Sequence, residues 1–92
     1  MIQTFKSKGL AELWNKHRTA KIDAKMYDRI FRVLDLLHAA RTKEEINVAG
    51  LGFHPLHGHK PVRYAVSVNG PWRITFEFEN GDAFLVDFEQ YH

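Results

Sequence analysis

Three segments between Val62 and Phe88 alternate apolar and polar residues with a period of two, and this limits the fold more than anything else in the chain. In the first, Val62, Tyr64, Val66 and Val68 share one face, and Arg63, Ala65 and Ser67 the other. In the second, Trp72, Ile74, Phe76 and Phe78 oppose Arg73, Thr75 and Glu77. Alternation of this kind marks an antiparallel sheet with one face covered and one open. The spacing predicts strands at 62–68, 72–78 and 83–88. Slipping a strand by one residue exchanges its faces, so matching the faces sets the register. A three-residue turn at 69–71 places Val66 against Ile74, Tyr64 against Phe76 and Arg63 against Glu77. A three-residue turn at 80–82 places Phe78 against Phe84 and Phe76 against Val86. The shorter Asn80-Gly81 turn would bring Asp87 against Ile74 on the apolar face, so the longer one is expected.

Upstream the period becomes helical. Ser7 can cap a first helix to about His17, with Leu10, Leu13, Trp14 and His17 on one side. Asp23 can cap a longer helix to about Arg41, along which Ile22, Met26, Ile30, Val33, Leu34 and Leu37 form an apolar stripe. Residues 1–5 read as a short opening strand. Residues 50–60, with three glycines and a proline, read as a loop or irregular edge. The two stripes need a surface to cover, and the apolar sheet face is the only one large enough. The expected fold is therefore α+β, in the order β-α-α-β-β-β. Two N-terminal helices pack on one face of a small antiparallel sheet, in a single domain spanning 1–92.

Composition narrows the class of function. No apolar run reaches the ~20 residues of a membrane span. The opening MIQTFKSKGL lacks the pattern of a secretory signal, which points to the cytoplasm. Cysteine is absent, which excludes disulfides and thiolate metal sites. Residues 1–41 carry nine Lys/Arg against four Asp/Glu, whereas residues 42–92 carry four against seven. A basic half suits a polyanionic partner, although two solvated helix faces would show the same count.

Chemistry can reside in three places: the histidines His54, His57 and His59; Arg73 within a strand on the uncovered face; and the C-terminal Gln90-Tyr91-His92. The histidines invite a zinc reading, but no acidic residue lies near them in sequence, and loop histidines are usually just solvated. Arg73 can equally pair with Glu89 as a surface charge, and Tyr91 and His92 can be a frayed end. Together, however, these residues meet the needs of metal-free RNA cleavage. In that reaction the ribose 2′-hydroxyl attacks the adjacent phosphate. A base must take its proton, an acid must protonate the leaving 5′-oxygen, and a cation must balance charge on the phosphoryl oxygens. Imidazole, with an ordinary pKa of about 6.5, serves as either base or acid. Guanidinium offers a fork of donors to phosphate, and tyrosine can stack on an unpaired base.

The segments FHPLHG, NGPWRITFEFENGDAF and VDFEQYH, with MIQTFKSKGL and LLHAARTKEEI, resemble the HigB group of the RelE/ParE toxin superfamily. The resemblance runs over essentially the whole chain and implies the same β-α-α-β-β-β order. It further implies a toxin of a type II toxin–antitoxin system that cuts mRNA in the decoding site of the small ribosomal subunit, without a metal or other cofactor. The implied partner is a helix-turn-helix antitoxin of the HigA type; no membrane is involved. His54, Arg73, Tyr91 and His92 correspond to catalytic positions, and His57, Lys60, Arg63 and Gln90 to RNA- or phosphate-binding ones. Members often carry lysine at position 57 and an acidic residue at position 90. A carboxylate there could orient a histidine, whereas glutamine brings no charge. Two alternatives remain: a ParE-like gyrase inhibitor, which needs no acid–base pair, and a non-catalytic RNA- or ribosome-binding module.

Overall fold

The structure, a computed structural model, describes residues 1–90. Helix α1 runs Lys8–Lys16 and α2 runs Tyr27–Ala39, the latter preceded by a 3-10 turn at Ala24–Met26; a second such turn spans Lys43–Glu45. Four strands follow: β1 His54–Leu56, β2 Arg63–Asn69, β3 Trp72–Glu79 and β4 Asp82–Gln90. They form one antiparallel sheet in the order β1-β2-β3-β4.

The start of α1 is built as the sequence predicts, with the Ser7 side chain accepting from the Leu10 N–H. Asp23, expected to cap the long helix, instead caps the 3-10 turn by accepting from the Lys25 N–H, and α2 itself begins at Tyr27 with no side-chain cap. His17 ends α1 in the left-handed region, at φ 66°. Gly9 sits in the first turn because space there is short: a Cβ would lie 3.1 Å from Ile22 Cδ1. The stripes of both helices lie against Val66, Val68, Ile74, Phe76, Ala83 and Val86 in one core. Ten or more apolar side chains with almost no exposure supply most of the stability, at roughly 1.5–3 kcal/mol for each large one.

Three features differ from the sequence expectation. The chain around His54 is a strand, not a loop: His54 pairs with Ala65, Pro55 with Tyr64 and Leu56 with Arg63. Proline is tolerated because β1 is an edge strand, where no N–H is needed on the outer side. Residues 1–5 make two isolated parallel bridges to β4, Ile2 with Ala83 and Phe5 with Val86, in place of a full strand.

The third difference is in the turns. The body of the β2–β3 hairpin has the expected register, with Arg63 opposite Glu77, Tyr64 opposite Phe76 and Val66 opposite Ile74. An irregularity between Ser67 and Asn69 then pairs Asn69 with Trp72, leaving Gly70-Pro71 as the turn. At β3–β4 the turn is Asn80-Gly81, with φ 52° and 81°, as a two-residue hairpin turn prefers. Phe78 therefore faces Ala83, and Phe84 faces Glu77 on the open side. Further along, a bulge between Thr75 and Glu77 admits an extra residue in β4, so Ile74 meets Phe88 and Thr75 meets Asp87. The bulge keeps Asp87 off the apolar face while allowing the short turn.

Candidate active site

Cross-strand partners share a face, so the register lays out the side of the sheet turned away from the helices. One row runs His54, Ala65, Thr75, Asp87; a neighbouring row runs Ser67, Arg73, Glu89. β1 and β3 are separated by two strand spacings, roughly 10 Å, so a group bridging His54 and Arg73 would lie over β2. In that span β2 carries Ala65, which is fully buried, and Ser67, which is half-buried.

His54 is half-buried, and its Nδ1 lies 2.7 Å from the Gly52 carbonyl oxygen. A carbonyl only accepts, so Nδ1 carries the hydrogen and donates it. The lone pair of the neutral ring is then on Nε2, the nitrogen left to exchange a proton with a ligand. Gly52 has φ 61°, which glycine adopts without strain, and a Cβ there would lie 3.4 Å from Ser67 Oγ.

Arg73 donates from Nη1 to Ser67 Oγ at 2.7 Å. Beside it Thr75 is buried, and its hydroxyl donates to a Glu89 carboxylate oxygen while accepting from Arg63 Nη2 at 3.1 Å. Arg63 also donates to the Leu85 carbonyl at 2.9 Å, and its Nη1 lies 3.6 Å from a Glu77 carboxylate oxygen. Its donors are thus engaged by protein acceptors, which does not favour the expected contact with phosphate.

The remaining expected residues are more scattered. His57, His59 and Lys60 are exposed in the segment after β1. Gln90 pairs with Trp72, on the helix side of the sheet. Trp72 stacks on Phe88 with ring centres 4.5 Å apart, and both line an open cleft of about 830 Å³ that Lys8, Lys21 and Lys25 also border. Tyr91 and His92 lie outside the described residues. Among the described residues no three His, Asp or Glu side chains are grouped to hold a metal ion. Also among them, no helix is long and apolar enough to cross a membrane.

The alternation placed Arg63 and Arg73 correctly on the open face, whereas His54 was expected in a loop or irregular edge, and Gly52 and the bond between Thr75 and Glu89 were missed. Gly52 carried no signal beyond being a loop glycine. Thr75 was visible as the polar partner within the second alternating segment.

The family model described as HigB-like toxin, a RelE-like toxin of type II toxin–antitoxin systems, matches residues 3–92. The chain is also 39% identical over 92 residues to a protein of Proteus vulgaris named Endoribonuclease HigB, with the whole of both chains covered.

Proposed function

The chain belongs to the HigB-like family of RelE-like toxins of type II toxin–antitoxin systems, and from that premise we propose that it is an endoribonuclease that cuts mRNA on the ribosome. A toxin of this type has an antitoxin as its partner. In this reading that antitoxin is a helix-turn-helix protein of the HigA type, and the 92 residues work in the cytoplasm as one domain.

The observation that carries the proposal is the pairing of His54 and Arg73 on one sheet face, with the His54 tautomer set by the Gly52 carbonyl. The scissile phosphate lies between the two side chains, beside Ser67. The 2′-hydroxyl attacks phosphorus, the bond to the 5′-oxygen breaks, and the products are a 2′,3′-cyclic phosphate and a 5′-hydroxyl. Arg73, steadied by Ser67, offers its guanidinium to the phosphoryl oxygens as charge develops on them. His54 Nε2 exchanges one of the two protons and His92 the other, while Tyr91 stacks on a splayed base. No step needs a metal ion. His57 and Lys60 add exposed positive or protonatable groups beside the path of the RNA.

The test is cleavage of a defined mRNA by purified protein, free and on programmed ribosomes. Cleavage on the ribosome that leaves free RNA largely intact, and is lost in Arg73→Ala, is the expected result. Equal cleavage of free RNA would remove ribosome dependence, and no cleavage in either setting would favour a non-catalytic ribosome-binding module.

A further inference from the structure

Among the described residues three non-glycine positions have a left-handed backbone. His17 ends a helix and Asn80 makes a turn, but Leu85, at φ 50°, lies inside β4. It is the first residue of the bulge opposite Phe76, a position at which this conformation normally selects glycine. Leucine there is strained by its Cβ. Burial does not hold it, because Leu85 is 42% exposed. Two hydrogen bonds do. Its N–H donates to Thr4 Oγ1 at 2.8 Å, and its carbonyl accepts from Arg63 Nη2 at 2.9 Å.

The bulge determines what the end of β4 presents. Without the extra residue, the register that pairs Glu79 with Asp82 would continue, and Arg73 would face Phe88 in place of Glu89. Glu89 would pass to the apolar side opposite Trp72, and its bond with Thr75 would be lost. We infer that Arg63 is a positioning residue: it locks the Leu85 bulge and so decides which face residues 87–90 present to the site. Its side chain is only 12% exposed, and it bridges β2, β3 and β4 through Thr75, Glu77 and the Leu85 carbonyl. The consequence for cleavage rests on the reading of Arg73's face as the place where RNA is cut.

The test compares Arg63→Met, Arg63→Lys, Leu85→Gly and the two double variants. The readouts are kcat and KM on programmed ribosomes, and the cross-strand NMR contacts that pair residue 73 with 89 and residue 74 with 88. Arg63→Met should lower kcat by about tenfold or more with KM changed by no more than about twofold. The register contacts should weaken. Leu85→Gly accepts the left-handed conformation, so in the double variant it should restore both the contacts and most of kcat. If Arg63→Met does not fold, Arg63→Lys carries the same comparison: lysine keeps the charge but cannot bridge three acceptors. A rise in KM with unchanged contacts, not rescued by Leu85→Gly, would make Arg63 a phosphate ligand and overturn the inference. So would full activity and intact contacts in Arg63→Lys. If the parent protein cuts no mRNA, the cleavage reading fails by itself, and the NMR contacts still decide the role of Arg63.

Discussion

At the scale of single residues, the account turns on protons. His54 presents Nε2 because its other nitrogen is occupied by Gly52, and it is only half-buried. Replacing it should therefore remove a proton-transfer group and little packing. His54→Ala is expected to lower the ribosomal cleavage rate by roughly 10²–10⁴-fold while the melting temperature stays nearly constant. His92 allows the same separation at the chain end. Deleting it should cost at least about a hundredfold in rate with no loss of fold, read by cleavage kinetics beside thermal melting. A deletion that cuts as fast as the parent would take His92 out of the mechanism. Arg73 was legible in sequence because strand alternation alone assigns its face, and His54 only as a candidate residue type, since its face comes from pairing with Ala65. The tautomer was not, since it depends on a carbonyl that only the folded loop brings into place.

At the scale of elements, helices α1 and α2 were legible because their stripes, and the Ser7 cap of α1, are local. Strand β1 was not: three residues containing Pro55, flanked by glycines, have no period, and they pair only because β2 offers a free edge. The bulge in β4 was hidden for a similar reason, as it answers to Arg63 and Thr4, which are distant in sequence. The two-residue Asn80-Gly81 turn also reverses the expected facing of Ala83 and Phe84. Ala83 is fully buried, so Ala83→Asp should place an uncompensated charge in the core and abolish cooperative folding. Phe84→Thr, on the open side, should cost only roughly 1 kcal/mol in chemical denaturation. The reverse ranking would restore the three-residue turn. The connection from α1 to α2 has a pH signature. Hydrogen bonds from Lys21, at 2.7 Å, and from Thr19 hold the Glu12 carboxyl below its ordinary value. A carboxyl depressed by folding contributes stability at neutral pH, and loses it as pH falls through its folded-state value. Glu12→Gln should therefore lower stability at pH 7 and flatten its decline in acid, followed by melting temperature between about pH 2 and 7.

At the scale of the whole molecule, one side of the sheet is spent on the core, and the other carries His54, Arg73 and the polar side chains of Ser67, Thr75 and Glu89. The basic helical half and the net acidic sheet half were both visible in composition, and the motifs FHPLHG, NGPWRITFEFENGDAF and VDFEQYH carried the whole-chain likeness that family membership bears out. The direction Gln90 takes, toward Trp72 and away from Arg73, follows the register expected from sequence, which the bulge restores beyond the shorter turn. The account's central claim is that this sheet face cuts RNA through the ribose 2′-hydroxyl. The most direct test is a programmed ribosome carrying an mRNA with a single 2′-deoxy substitution at the mapped cleavage position. The all-ribose mRNA should yield a 2′,3′-cyclic phosphate and a 5′-hydroxyl, and the substituted one should stay intact at that position. Cleavage of the deoxy-substituted mRNA at the same bond and at a similar rate would contradict the account.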